Sequence, residues 1–231
     1  MGISRPDGFI YLFISGFANL VLLSLCWLVC CIPLVTIGAS CSALFSVCFK
    51  MTKDEDGHIV RQFFAAFRGN FRQATAAWLI LLPVGALILW AGYLYFFGMW
   101  DVSGAADFFA VVIVILAAVY LVVMTYVFAV AARYENTAVQ TIKNALFIGL
   151  RYIGRTIILA AVTLTVVFMC CWNYVTMLFG VILAPGFLCY IHSSFIIRIF
   201  EKLERERDER AADEAVMQSC RAGLNTDELN R

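Results

Sequence analysis

Nine cysteines, at positions 26, 30, 31, 41, 48, 170, 171, 189 and 220, are the most chemically capable side chains in the sequence. Thiols spaced as Cys-x-x-Cys pairs, or grouped with histidines, bind zinc or run thiol–disulfide exchange. None of these falls in such a pair, and His58 and His192 are too isolated in sequence to complete a site. Eight of the nine lie inside apolar runs, so free thiols packed between helices are expected, with no metal and no cofactor. Asp54-Glu55-Asp56-Gly57 lacks the alternating ligands and terminal Glu of a calcium loop, and reads as a solvated turn capping the next helix. His192 is the sole ionisable group well inside an apolar block; with no acidic partner it is expected to hydrogen-bond between helices rather than relay protons. No set of His, Asp, Glu or Cys has metal or nucleophile spacing, and the chain is read as not an enzyme.

The elements that must carry these residues are membrane helices. From Gly8 to Phe49 there is no Asp, Glu, Lys or Arg, and the run is broken only by Pro33. That is longer than the about 20 residues one crossing needs. It also exceeds the h-region of a cleaved signal peptide, so it is expected to remain as an anchor. Across the chain 63% of residues are hydrophobic and 14% charged, against about 25% charged in soluble domains. Further apolar blocks run over 74–99, 108–132, 156–181 and 187–200, the last beginning after Pro185-Gly186, a turn signal. The expected fold class is all-α: a polytopic transmembrane helix bundle of five or six spans. If residues 34–49 lie in the interface there are five; if they cross there are six, arranged as three hairpins with tight ends near Pro33, residues 100–107 and Pro185. Internal similarity of the Pro33 and Pro185 regions favours six. Residues 1–203 form a single transmembrane domain, and 204–231 a charged C-terminal helix or tail that frays beyond Ser219.

Lysine and arginine orient the blocks. Five fall between Lys50 and Arg72, four between Arg133 and Arg155, and six from Lys202 onward, whereas Asp101–Asp107 has none. The basic segments are therefore expected in the cytoplasm, with the C-terminus. Two of them read as amphipathic elbow helices on the membrane surface. In the first, Phe63, Phe64, Phe67 and Phe71 share a face flanked by Arg61, Arg68 and Arg72; Asn70 and Gln73 lie in the same stretch. In the second, Ile142, Phe147, Arg151 and Arg155 repeat Ile59, Phe64, Arg68 and Arg72. Such arginines meet lipid phosphates or dock a partner protein, and the sequence leaves both open.

The string Pro33-Leu34-Val35-Thr36-Ile37-Gly38-Ala39-Ser40, the acidic cluster at 54–56, and Phe63-Phe64-Ala65-Ala66-Phe67-Arg68-Gly69-Asn70-Phe71-Arg72-Gln73-Ala74 resemble the YesL-like bacterial membrane proteins, a domain family of unknown function. The resemblance rests on motifs over about residues 8–80, and on hydropathy and length alone over 80–200. It implies a multi-pass protein of the bacterial plasma membrane, often encoded beside components of carbohydrate ABC importers, with no established activity. The expected role is an accessory or regulatory subunit of such an importer, with the lipid bilayer and permease or ATPase subunits as partners. A small transporter or channel is the alternative, opposed by the scarcity of charge in the spans. A net charge of +1 gives no pull toward nucleic acid, and oligomeric state is left open. Within the string, Pro33, Thr36, Gly38 and Ser40 read as a structural motif: Gly38 permits close helix approach, and Thr36 or Ser40 caps the second helix. Lining a substrate cavity with broken-helix backbone is the functional alternative.

Overall fold

In the computed structural model, residues 9–53, 57–97 and 106–229 are described, and all regular structure among them is helical. The helices are α1 (Phe9–Cys30), α2 (Ile37–Thr52), α3 (Ile59–Phe96), α4 (Ala106–Arg133), α5 (Ala138–Arg151), α6 (Ile153–Cys171) and α7 (Tyr174–Leu229), with a short 3-10 turn, Leu34–Thr36, before α2. Among the described residues, five stretches are long and apolar enough to cross a bilayer: Leu34–Thr52, Ile59–Phe96, Phe108–Arg133, Ile153–Cys171 and Thr176–Ala215. The 22 residues of α1 extend about 33 Å, the thickness of a hydrocarbon core. The all-α expectation is met. The expected turn at Asp54–Asp56 and most of the expected tight end at residues 100–107 lie outside the described residues.

Two compact units divide the chain, Met1–Ser193 and Ser194–Arg231. In the first, α2 is the most enclosed element. Its small residues Gly38, Ala39, Ser42 and Ala43 are buried, which lets neighbouring backbones come close where lipid offers no hydrophobic drive for association. A Cβ on Gly38 would stand 2.5 Å from the Ala74 carbonyl oxygen and 2.6 Å from Trp78 Cβ, so only glycine fits at this crossing with α3. Trp78 Nε1 donates to Leu34 O at 2.9 Å beside it. Around this seam the environment reverses. The first half of α4 is largely unburied, with Phe108, Val114 and Leu121 left for lipid to cover, whereas Val123 and the run from Tyr126 to Ala131 are buried.

Several expectations are corrected. The first elbow is no separate surface helix: it is the first half of a 38-residue α3, continuous with the apolar block that follows. Phe63 on it is fully buried and Ile59 nearly so, because α2 runs antiparallel along this half. That pairing brings the Pro33 end of α2 level with Ala74–Trp78, within two turns of Arg72, so Pro33 and Arg72 do not lie at opposite ends of a crossing. The third tight turn is at Trp172–Asn173, not at Pro185. There the Thr176 hydroxyl donates to Asn173 O at 2.7 Å and accepts from Asn173 N–H at 3.1 Å, a local alternative to helical bonding that ends α6 and starts α7.

Pro185 sits inside α7, as membrane helices tolerate when neighbours re-satisfy the freed groups. One such neighbour is Ser24 of α1, whose Oγ accepts from Gly186 N–H at 2.9 Å. Residue 186 must be glycine there, because a Cβ would meet Ser24 Oγ and the Leu20 carbonyl.

The second unit begins within α7. Its helix continues to Leu229, past the point where fraying is expected. Arg198, Glu201, Lys202, Arg205, Glu206 and Glu209 share one charged groove along it.

Candidate functional site

The α2 string does structural work by a different route from the one expected. Thr36 and Ser40 make no side-chain cap at the start of α2. Instead the Thr36 hydroxyl lies 2.6 Å from Cys30 O and 2.8 Å from Pro33 O, covering carbonyls left open where α1 ends, and Ser40 Oγ donates to Thr36 O at 3.0 Å. Gly38 makes the close approach expected of it.

Behind this string lies an apolar cavity of about 520 Å³ between α1, α2, α4, α6 and the first part of α7. Trp27, Phe45, Phe128, Val167, Met177 and Leu188 line it, together with cysteines. Trp27 Nε1 points at Cys41 Sγ, 3.3 Å away. His192 is the one basic side chain among its lining residues; it is buried, with Nε2 3.1 Å from Thr163 Oγ1 on α6, an interhelical hydrogen bond as expected. Nothing in the wall offers a polar solute the several partners it would need on leaving water. The eight cysteines with described side chains are free thiols, and no group of three or more His, Cys, Asp or Glu among the described residues could hold a metal ion.

The candidate binding residues separate into three settings. Arg61, Arg68 and Arg72 are exposed along the first half of α3, while between them Phe63 stacks on Phe67 at 6.3 Å and Phe67 meets Phe71 edge to face at 5.5 Å between ring centroids. Asn70 is half-buried in the same stretch. Gln73 is turned inward. Its Nε2 donates to Tyr134 O at 2.9 Å and to Thr141 Oγ1 at 2.7 Å, and its Oε1 accepts from Asn136 N–H at 3.3 Å. It therefore joins α3 to the α4–α5 link instead of offering an amide to a ligand.

The third setting is the break between α5 and α6. Tyr152 leaves the helical region there, at φ −113° and ψ 43°. Arg151 and Arg155 both bring their guanidinium carbons to 5.8 Å from its ring centroid. On the inner side Tyr126, fully buried on α4, is hydrogen-bonded to Thr156 Oγ1 at 3.0 Å, which also lies 3.0 Å from Gly149 O. A side chain on Gly149 would meet Val122 and Tyr126, so α5 presses on α4 here. The repeat between the two elbows is thus only partial, since Arg68 and Arg72 share an unbroken helix and Arg151 and Arg155 do not.

Sequence reasoning missed the partners of Gln73, because a backbone carbonyl 61 residues away leaves no mark in side-chain patterning. A readable sign of the α5 start was present: Thr137 and Gln140 stand at capping-box spacing, and Gln140 Oε1 accepts from Thr137 N–H at 3.3 Å.

No curated protein and no solved structure matches this chain. Over residues 20–91, from the middle of α1 through α2 and most of α3, the chain matches the family described as "Protein of unknown function, DUF624", a stretch that contains both the Pro33–Ser40 string and the arginine row of α3.

Proposed function

We propose that this membrane protein works by docking and not by chemistry: it is an accessory or regulatory membrane subunit whose Arg61, Arg68 and Arg72 face a partner protein. The observation that carries the reading is the division of labour on the first half of α3. Gln73 and Phe63 are spent on internal packing, while the three arginines stay exposed on the same helix. Exposed arginines on a rigid, well-supported helix suit planar recognition of carboxylates on a partner. By the positive-inside rule this surface faces the cytoplasm of a bacterial cell, and so does the C-terminal helix.

The resemblance to YesL-like proteins names the partner class, the permease or ATPase subunits of a carbohydrate ABC importer. A transporter reading has less support, because the cavity offers a polar solute little beyond His192.

Purification of the full chain in mild detergent tests the proposal. A permease or ATPase is expected to co-purify, and replacing both Arg68 and Arg72 by Gln is expected to reduce its recovery about tenfold or more, as for loss of two interface charges. Recovery of the chain alone in several mild detergents would contradict the reading.

A further inference from the structure

The break between α5 and α6 carries a feature the docking surface of α3 does not use. Arg155 Nη1 is buried and has no hydrogen-bond partner, and Tyr152 Oη beside it is buried and unpartnered as well. A guanidinium nitrogen shut away without an acceptor is costly, so an acceptor arriving at this position would be favoured. Arg151 and Arg155 approach the same tyrosine ring, Arg151 from the exposed end of α5 and Arg155 from the first turn of α6. Two positive groups thus converge where the chain turns from one helix into the next.

The surroundings identify the class of acceptor. The inward face of α5 is Thr141, Ala145, Ile148 and Gly149. Its outward face alternates cations and large apolar groups: Lys143, Phe147, Leu150 and Arg151 are all exposed, Phe147 by 62%. Ile153 and Ile157 continue the apolar exposure onto α6. A water-facing helix would not expose so much apolar surface, and a purely buried one would not carry the cations. The mixture matches the boundary of a bilayer, where phosphates and acyl chains lie side by side.

We propose that Arg151 and Arg155, on either side of Tyr152, hold the phosphate of an anionic phospholipid, with Phe147, Leu150 and Ile153 against its acyl chains. Charge complementarity assigns the headgroup and the exposed apolar rim assigns the tails. The site is independent of the α3 docking surface and stands or falls separately.

The test is native mass spectrometry of the full-length protein in mild detergent, with phosphatidylglycerol or phosphatidylcholine added, compared between wild type and variants. Wild type is expected to retain phosphatidylglycerol over phosphatidylcholine. Retention is expected to drop about fivefold for each arginine replaced by glutamine. Arg207→Gln, at an exposed position on the charged part of α7, should leave it unchanged. If the variant carrying both Arg151→Gln and Arg155→Gln does not fold, Arg151→Gln alone, at an exposed position, carries the same expectation. Equal retention of the two lipids, or undiminished phosphatidylglycerol on Arg151→Gln, would overturn the proposal. Displacement of the lipid by inorganic phosphate would overturn it in favour of a free-phosphate site. Loss of a co-purifying protein with lipid retention unchanged would overturn it in favour of a protein interface.

Discussion

Gln73 shows how one amide can fix the relation of three elements. Its nitrogen donates to a carbonyl after α4 and to a hydroxyl on α5, and its oxygen accepts from the link between them. Gln73→Ala removes the bonds to the Asn136 N–H, the Tyr134 carbonyl and the Thr141 hydroxyl, and is expected to cost about 2 kcal/mol, seen as a lower midpoint in thermal unfolding of the detergent-solubilised chain. An unchanged midpoint would mean that the amide is a passenger at this junction. The type of this residue was legible in the sequence and its task was not, since it stands among arginines that do remain exposed. Gly38 was legible because its neighbours are small as well, and a run of small residues in an apolar helix has one main use, the close approach seen at Ala74 and Trp78.

Among the elements, length and hydropathy made the helices readable, while their ends depended on chemistry that hydropathy does not see. Pro185-Gly186 has the form of a turn, yet it lies within α7, where Ser24 of α1 meets the Gly186 N–H. The turn formed instead at Trp172–Asn173, where a threonine hydroxyl three residues on could bond the local backbone. Cysteine labelling separates the two placements. In a chain whose native cysteines are replaced by alanine, Asn173→Cys is expected to react rapidly with a membrane-impermeant maleimide, and Pro185→Cys not to react. Rapid labelling at 185 and none at 173 would restore the turn to Pro185. The first elbow was misjudged for a related reason. Its amphipathic face is the same whether it meets lipid or α2, and only the tertiary pairing of α2 along α3 decides between them.

At the scale of the whole molecule, the described residues hold no group of three or more His, Cys, Asp or Glu that could bind a metal ion, and several cationic positions stand exposed on well-packed helices. Its cavity is apolar, its described thiols are free, and His192 is bonded to Thr163. The two proposals both concern the surface: protein docking on α3, and lipid phosphate at the α5–α6 break. The docking claim is the central one, and a photoreactive amino acid introduced at position 68 in living cells tests it most directly. Position 87, 68% exposed on the apolar half of the same helix, serves as the lipid-facing control. The account predicts a discrete crosslinked protein band from position 68 and none from position 87. Only lipid adducts at both positions would contradict it.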